Sequence, residues 1–167
     1  MKQLQYVMLT VVLLAGGVAS LQAQVSLTTL STASTQDFNT LITSGSGTWT
    51  DNSSITGWYH ARTGSGNTIV ANDGGSNAGN LYSYGSGTAS ERALGSVGSG
   101  NSAAGDFWWG VRLVNNTGNT ITSLDVSYYG EQWRYSGTAA AQVVEFSYQT
   151  GTNLTSLPRG SRTRDAA

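Results

Sequence analysis

The sequence predicts an all-β protein, an antiparallel β-sandwich or barrel. Three observations carry that prediction. Short runs rich in Val, Ile, Tyr, Trp and Thr recur along the 167 residues, separated by clusters of Gly, Ser and Asn. Several of these runs alternate apolar and polar residues, and a period of two gives a strand one face for a core and one for water. No stretch beyond the N-terminal segment sustains a 3.6-residue period of helix formers. One polar face per strand favours antiparallel sheets, because strands of parallel sheets are usually buried on both sides.

Taken in order, the expected strands occupy 25–30, 57–62, 68–71, 80–84, 92–97, 107–115, 120–135 and 142–149. Residues 36–42 read as a strand or a short turn of helix. Alternation is clearest in three runs. Phe107, Trp109, Val111 and Leu113 form one apolar set, which makes Trp109 a core residue, with Gly110 and Arg112 facing the other way. Leu124, Val126 and Tyr128 form a second set, and Val144, Phe146 and Tyr148 a third. The last two runs are expected to pair as a hairpin through loop 136–141. Matching apolar faces sets Tyr128 opposite Tyr148, Gly130 opposite Phe146 and Gln132 opposite Val144, and a slip of one residue would turn a whole face to water. The same register places Glu131 opposite Glu145 on the other face, beside Tyr129 and Trp133. Loops 71–80 and 95–106 are long and built of small residues, which suits surface connections.

Three segments follow from the ends. Residues 1–23 read as a signal peptide: Lys2 is its positive start, 6–14 its apolar run and 15–20 its small residues. That apolar run is too short to span about 30 Å of hydrocarbon, so the mature protein has no expected membrane span. Cleavage fits after Ser20 or after Ala23. Residues 24–150 form the β-sandwich domain. Residues 151–167 hold the only Pro and three of the eight basic residues, and read as a disordered or truncated tail. Export without a single Cys suggests a bacterial envelope or extracellular protein rather than a small disulfide-stapled domain.

Composition excludes several classes of function. Asp, Glu, Lys and Arg make up 10% of the chain, against about 25% in typical soluble proteins. So few Lys and Arg leave no electrostatic footprint for nucleic-acid phosphates. Zero Cys and one His argue against thiolate metal sites, thiol catalysis and most zinc chemistry.

Five strings stand out together in this order: Asp37-Phe38-Asn39-Thr40-Leu41, Gly57-Trp58-Tyr59, Asn80-Leu81-Tyr82-Ser83-Tyr84-Gly85, Glu91-Arg92-Ala93-Leu94-Gly95 and Gly130-Glu131-Gln132-Trp133-Arg134. Over roughly 36–148 the chain resembles the N-terminal β-sandwich module of secreted, multidomain bacterial surface proteins. Those proteins often carry sorting signals of the PEP-CTERM or type IX kind, and some carry lamin-tail or extracellular nuclease domains. The resemblance implies a lectin-like jelly roll with no established catalytic residues. The family module continues into further strands, including an Asp-rich one. Here the chain stops soon after Tyr148, so the sandwich reads as incomplete.

The candidate ligand-binding residues are aromatic. Trp108, Trp133, Trp58 and Tyr129 could offer flat apolar faces to sugar rings, although buried aromatics more often fill cores. Glu131 with Arg134, and Glu91 with Arg92, read as structural ion pairs, and an Arg fork can also satisfy several carbonyls where loops meet a sheet. Glu131 and Glu145, if directly opposed, would have the separation of a retaining glycosidase pair, but no supporting constellation surrounds them. Loop 73–77 (Asp-Gly-Gly-Ser-Asn) has oxygen ligands suited to calcium, yet Tyr84 stands where the helical-loop motif needs Glu. An ordinary turn is the simpler reading, with a calcium site outside that motif as the weaker alternative, and no other cofactor or metal is expected. His60 lies mid-strand, sharing a face with Trp58 and Arg62.

These residues predict a non-catalytic secreted or cell-surface module acting in display, adhesion or glycan binding. The alternative is a glycoside-hydrolase-like enzyme, or an accessory domain of an extracellular nuclease encoded beyond this segment. The signal peptide gives the first test. Protein recovered from the medium or periplasm of an expressing bacterium should begin at Leu21 or Gln24 by intact-mass measurement. A cytosolic chain retaining Lys2 would overturn the export reading.

Overall fold

A computed structural model describes residues 24–99, 101–135, 145–151 and 157. The described part is all-β, with eight short strands and no helix. In chain order they are β1 (Val25–Leu27), β2 (Ser46–Thr48), β3 (Trp58–Arg62), β4 (Thr68–Asn72), β5 (Asn80–Tyr84), β6 (Ala93–Val97), β7 (Phe107–Val111) and β8 (Leu113–Asn115). They form a four-stranded sheet in the order β2-β4-β5-β6 and two pairs, β3-β7 and β1-β8.

The expectation of purely antiparallel pairing is corrected at two places. β4 and β5 are parallel neighbours, with Ile69 beside Leu81, and β1 is parallel to β8, with Val25 beside Leu113. Parallel neighbours normally need a crossover of a dozen residues or more, yet β4 and β5 are joined by residues 73–79 alone. Seven residues reach at most about 24 Å, and a five-residue strand spans only about 17 Å, so the return can be made without a helix. The loop that reads as a simple surface connection is therefore a crossover. Its Gly79 lies so close to Ala104 and Ser99 that a Cβ there would collide with both.

The run 107–115 is divided at Arg112. Its N–H donates to the Gly57 carbonyl (2.8 Å), while its carbonyl accepts from the Val25 N–H (2.9 Å). One residue thus hands the chain from the β3 ladder to the β1 ladder. Gly57 takes a positive φ of 77°, and a Cβ there would strike the Val25 backbone and side chain. Residues 36–42 form neither strand nor helix but a turn, closed by a bond from the Leu41 N–H to the Phe38 carbonyl (3.0 Å).

The core is Leu41, Trp49, Ile55, Ile69, Leu81 and Leu94, with Phe38, Ile42, Trp58 and Phe107 packed at its margin. β5 is its centre: from Leu81 to Tyr84 every residue is buried. Alternation sends Leu81 and Ser83 to one face and Tyr82 and Tyr84 to the other. The reading of Trp109 as core is not supported, since Trp109 and Val111 are each 37% exposed and only Phe107 of that set reaches the core margin. β7 is paired on one side with β3, and its alternation marks a ribbon whose apolar face is only partly covered.

The final hairpin is not formed among the described residues. Residues 120–135 and 145–149 belong to no strand, and 136–144 lie outside the described residues. Leu124, Val126, Tyr128, Phe146 and Tyr148 are all exposed. One trace of the expected neighbourhood persists: the Tyr128 and Phe146 rings stack with centroids 6.5 Å apart. Residues 1–23, expected as a signal peptide, and most of the expected tail likewise lie outside the described residues.

Arg92 ties the four-stranded sheet to its loops. It is 1% exposed, donating from Nε to Ser83 Oγ (2.9 Å) and from its terminal nitrogens to the carbonyls of Ser83 and Gly87. Ser83 Oγ in turn donates to the Ile42 carbonyl (2.7 Å), and the Arg92 N–H donates to Asn39 Oδ1 (2.9 Å). The guanidinium crosses Gly85, where any Cβ would overlap it. The expected Glu91–Arg92 ion pair is thus replaced by a fork on carbonyls and a hydroxyl, while Glu91 is exposed. Arg92→Leu should cost about 2–3 kcal/mol, because the Ser83 carbonyl and hydroxyl lose charge-assisted partners in the core. A lowered urea midpoint is the readout, and an unchanged midpoint would show that the buried fork contributes nothing.

Candidate functional site

Two of the regions singled out in the sequence meet at the C-terminal end of β4. Trp133 is half-buried and stacks on Tyr84, with ring centroids 5.9 Å apart and planes within 6°. Tyr84 lies against Gly95 on β6, close enough that a Cβ there would press into its ring, and its other neighbour is Tyr82 at 5.2 Å. A glycine on one strand therefore makes room for the tyrosine that carries the indole. Trp133 Nε1 donates to Glu131 Oε2 (2.7 Å), which fixes the ring's rotation.

The neighbouring residue closes the site. Arg134 donates to the carbonyls of Gly74 (3.3 Å) and Gly75 (3.1 Å). Gly74 holds a φ of 93° and sits directly against the Trp133 carbonyl, leaving no space for a Cβ. The loop itself is folded by its own side chains: Asn72 Oδ1 accepts from the N–H groups of Gly74 and Ser76, and Asp73 Oδ1 from that of Gly75. The oxygens that suggested calcium thus hold an Asx-type turn, and the described residues contain no group of three or more His, Cys, Asp or Glu able to hold a metal ion. Arg134, expected to pair with Glu131, holds loop carbonyls instead, and Glu131 holds the indole. Burial, with Tyr82 alongside, pushes the Tyr84 phenol up to about 12 against a lowering influence from Arg134, so the ring beneath Trp133 is neutral at physiological pH.

The remaining candidates lie elsewhere. Tyr129 is 99% exposed. Trp58 is edge-on to Phe38, 4.7 Å away at 76°, and packs on the core, a structural rather than a presenting position. Trp108 is half-buried on β7 opposite Ala61. Glu131 and Glu145 belong to no strand, so the register that would set their carboxyls opposite each other is not formed among the described residues.

A second locus, missed in the sequence, lies beside β3. Asp51 follows the buried Trp49 in a turn, and its Oδ1 accepts from Trp49 Nε1 (2.7 Å) and from the His60 N–H (2.8 Å). The carboxylate therefore occupies the β3 edge where a neighbouring strand would pair. A cleft of about 360 Å³ opens there, lined by Trp49, Asp51, His60, Arg62 and Asn67 among others. Arg62 lies over the Phe107 ring, 4.8 Å from its centroid, and donates to the carbonyls of Ala103 and Ala104. His60 also faces Phe107, with centroids 5.8 Å apart. The only cue in the sequence was the pair Trp49 and Asp51, two residues apart, just upstream of an aromatic strand.

Burial pushes the His60 imidazole below its ordinary 6.5, and Arg62 adds to this while Asp51 opposes it. A base with a depressed folded-state pKa takes up protons more readily when unfolded. Its contribution to stability is present above about 6.5 and is lost as pH falls toward the folded value. His60 is the single His, so denaturation midpoints should drop as pH is lowered through that window, and His60→Gln should flatten the drop. Midpoints that rise on acidification would contradict this account.

Among the described residues no helix is long and apolar enough to cross a membrane. No family model, curated protein or solved structure matches the chain.

Proposed function

We propose that the chain is a non-catalytic module of an exported bacterial protein, built as a jelly-roll sandwich, that recognises glycans in surface display or adhesion. The observation that supports this reading best is the fixed indole of Trp133. It is stacked parallel on Tyr84 and pinned by Glu131, so little side-chain freedom is lost when a ligand packs against it. A sugar ring offers a face of C–H groups to such a surface and a rim of hydroxyls to polar neighbours. Glu131, Arg134 and the loop 72–77 supply those neighbours within the same small region. The segment resemblance to modules of secreted surface proteins points the same way, as does the low charge of the chain.

The test is retention on a glycan array. The wild type should be retained on at least one glycan, and Trp133→Ala should weaken that retention by about tenfold or more, the worth of one well-placed aromatic contact. Retention on no glycan, or retention unaffected by Trp133→Ala, would overturn the proposal.

A further inference from the structure

The cleft beside β3 carries a feature that the rest of the fold does not explain. His60 Nε2 is buried and has no hydrogen-bond partner among the described residues. A buried polar atom without a partner is costly and calls for a reason. Around it the polar groups are arranged but not exhausted. Asp51, part of the cleft lining, uses a single oxygen, Oδ1, for both Trp49 and His60. Asn67 donates to the Trp49 carbonyl (3.0 Å) and retains its side-chain oxygen. Arg62 spends Nε and one terminal nitrogen on Ala104 and Ala103 and keeps a second terminal nitrogen.

We infer that this cleft is a second ligand site, and that it takes a single neutral, polyhydroxylated ring such as one terminal sugar unit. Charge decides against an ion. Asp51 and Arg62 bring one charge of each sign to the lining, so a ligand of either sign meets repulsion from one of them. Hydrogen-bond type decides for hydroxyls. A carboxylate only accepts, a guanidinium only donates, and imidazole and amide do both. Only a group that both donates and accepts satisfies the whole set, and adjacent hydroxyls do so at more than one position. Size agrees, since about 360 Å³ lies at the small end of ligand sites. Ala61 and Gly66 supply small apolar surface between the polar groups. One hydroxyl pairs with His60 Nε2 once the imidazole tips toward the cleft, a rotation that the broad torsion at its ring allows. The lowered affinity of His60 for a proton leaves the imidazole neutral, able to accept as well as donate.

This site is separate from the Trp133 platform. Gly66 and Asn67 precede β4 and the loop 73–77 follows it, so the two loci stand at opposite ends of a strand about 17 Å long. Either can therefore fail without the other.

Because His60 is the single His, its imidazole signals in a long-range proton–nitrogen NMR spectrum need no assignment. Glucose, galactose, mannose and N-acetylglucosamine are titrated in turn into the full chain at neutral pH. At least one should shift the His60 ring nitrogens saturably. Asp51→Asn, which keeps an acceptor for Trp49 and His60, should weaken that response at least tenfold while the urea midpoint shows the fold is retained. Trp133→Ala should leave it unchanged. Absence of a saturable shift with all four sugars would overturn the inference, as would a shift that survives Asp51→Asn undiminished. Loss of array retention in Trp133→Ala with an intact His60 response would separate the two sites, and a His60 response that vanished in Trp133→Ala would overturn their independence.

Discussion

Arg92 brings a permanent charge into a place almost closed to water, and much of the surrounding structure follows from the need to satisfy it. Ser83, on the most buried strand, turns both its hydroxyl and its carbonyl to the guanidinium. The same hydroxyl reaches on to the Ile42 carbonyl, and Asn39 holds the Arg92 backbone. A charge so placed is tolerable only when its donors are matched. The geometry therefore fixes three regions at once: the turn at 38–42, the centre of β5 and the start of β6. It also dictates Gly85, whose missing side chain is the room through which the arginine passes. The core residues Leu41, Leu81 and Leu94 pack around this arrangement, and the apolar cluster and the polar knot share the same strands.

How much of this could be read from the residues depends on the range of the interaction. β3, β4, β5 and β6 lie within a residue of the expected runs, because aromatic and β-branched runs bounded by turn residues encode them locally, whereas the expected strand 107–115 is two strands, β7 and β8. The role of Arg92 as a fork on carbonyls was legible in kind, since a guanidinium beside strand and loop has few other uses; its acceptors were not. Parallel pairing is hidden in the sequence because alternation reports burial on two faces and says nothing of strand direction, and the short return through 73–79 lies outside the usual crossover length. The run 120–149 alternates as well as any strand in the chain. Its alternating apolar residues Leu124, Val126, Tyr128, Phe146 and Tyr148 are nonetheless exposed, since alternation describes a strand that has found a partner and cannot supply one.

The two functional loci show the same division. Trp133, Glu131, Arg134 and the loop 73–77 each stand out in the sequence, but with different roles. Folding brings them together, and the expected ion pair dissolves into a pinned indole and a loop clamp. Nothing in the sequence marks Asp51, because a carboxylate that replaces a strand at a sheet edge has no signature until the edge exists. Trp49 is similar: it is among the most buried side chains, yet its short segment carries no alternation. Long-range placement, not residue type, distinguishes a core indole from a presenting one, as Trp49 and Trp133 demonstrate within one chain.

The pairing of β1 with β8 has a mechanical consequence. The strands run in the same direction, with Val25, Ser26 and Leu27 beside Leu113, Val114 and Asn115. Tension applied between residues upstream of Val25 and residues downstream of Asn115 would draw the two strands past each other along their length. The inter-strand hydrogen bonds would then be strained together, not opened one after another as in a zipper. Arg112, bonded to Gly57 on one side and Val25 on the other, passes the pull directly into the β3–β7 ribbon. The sheets would resist stretching as a unit until that short ladder sheared.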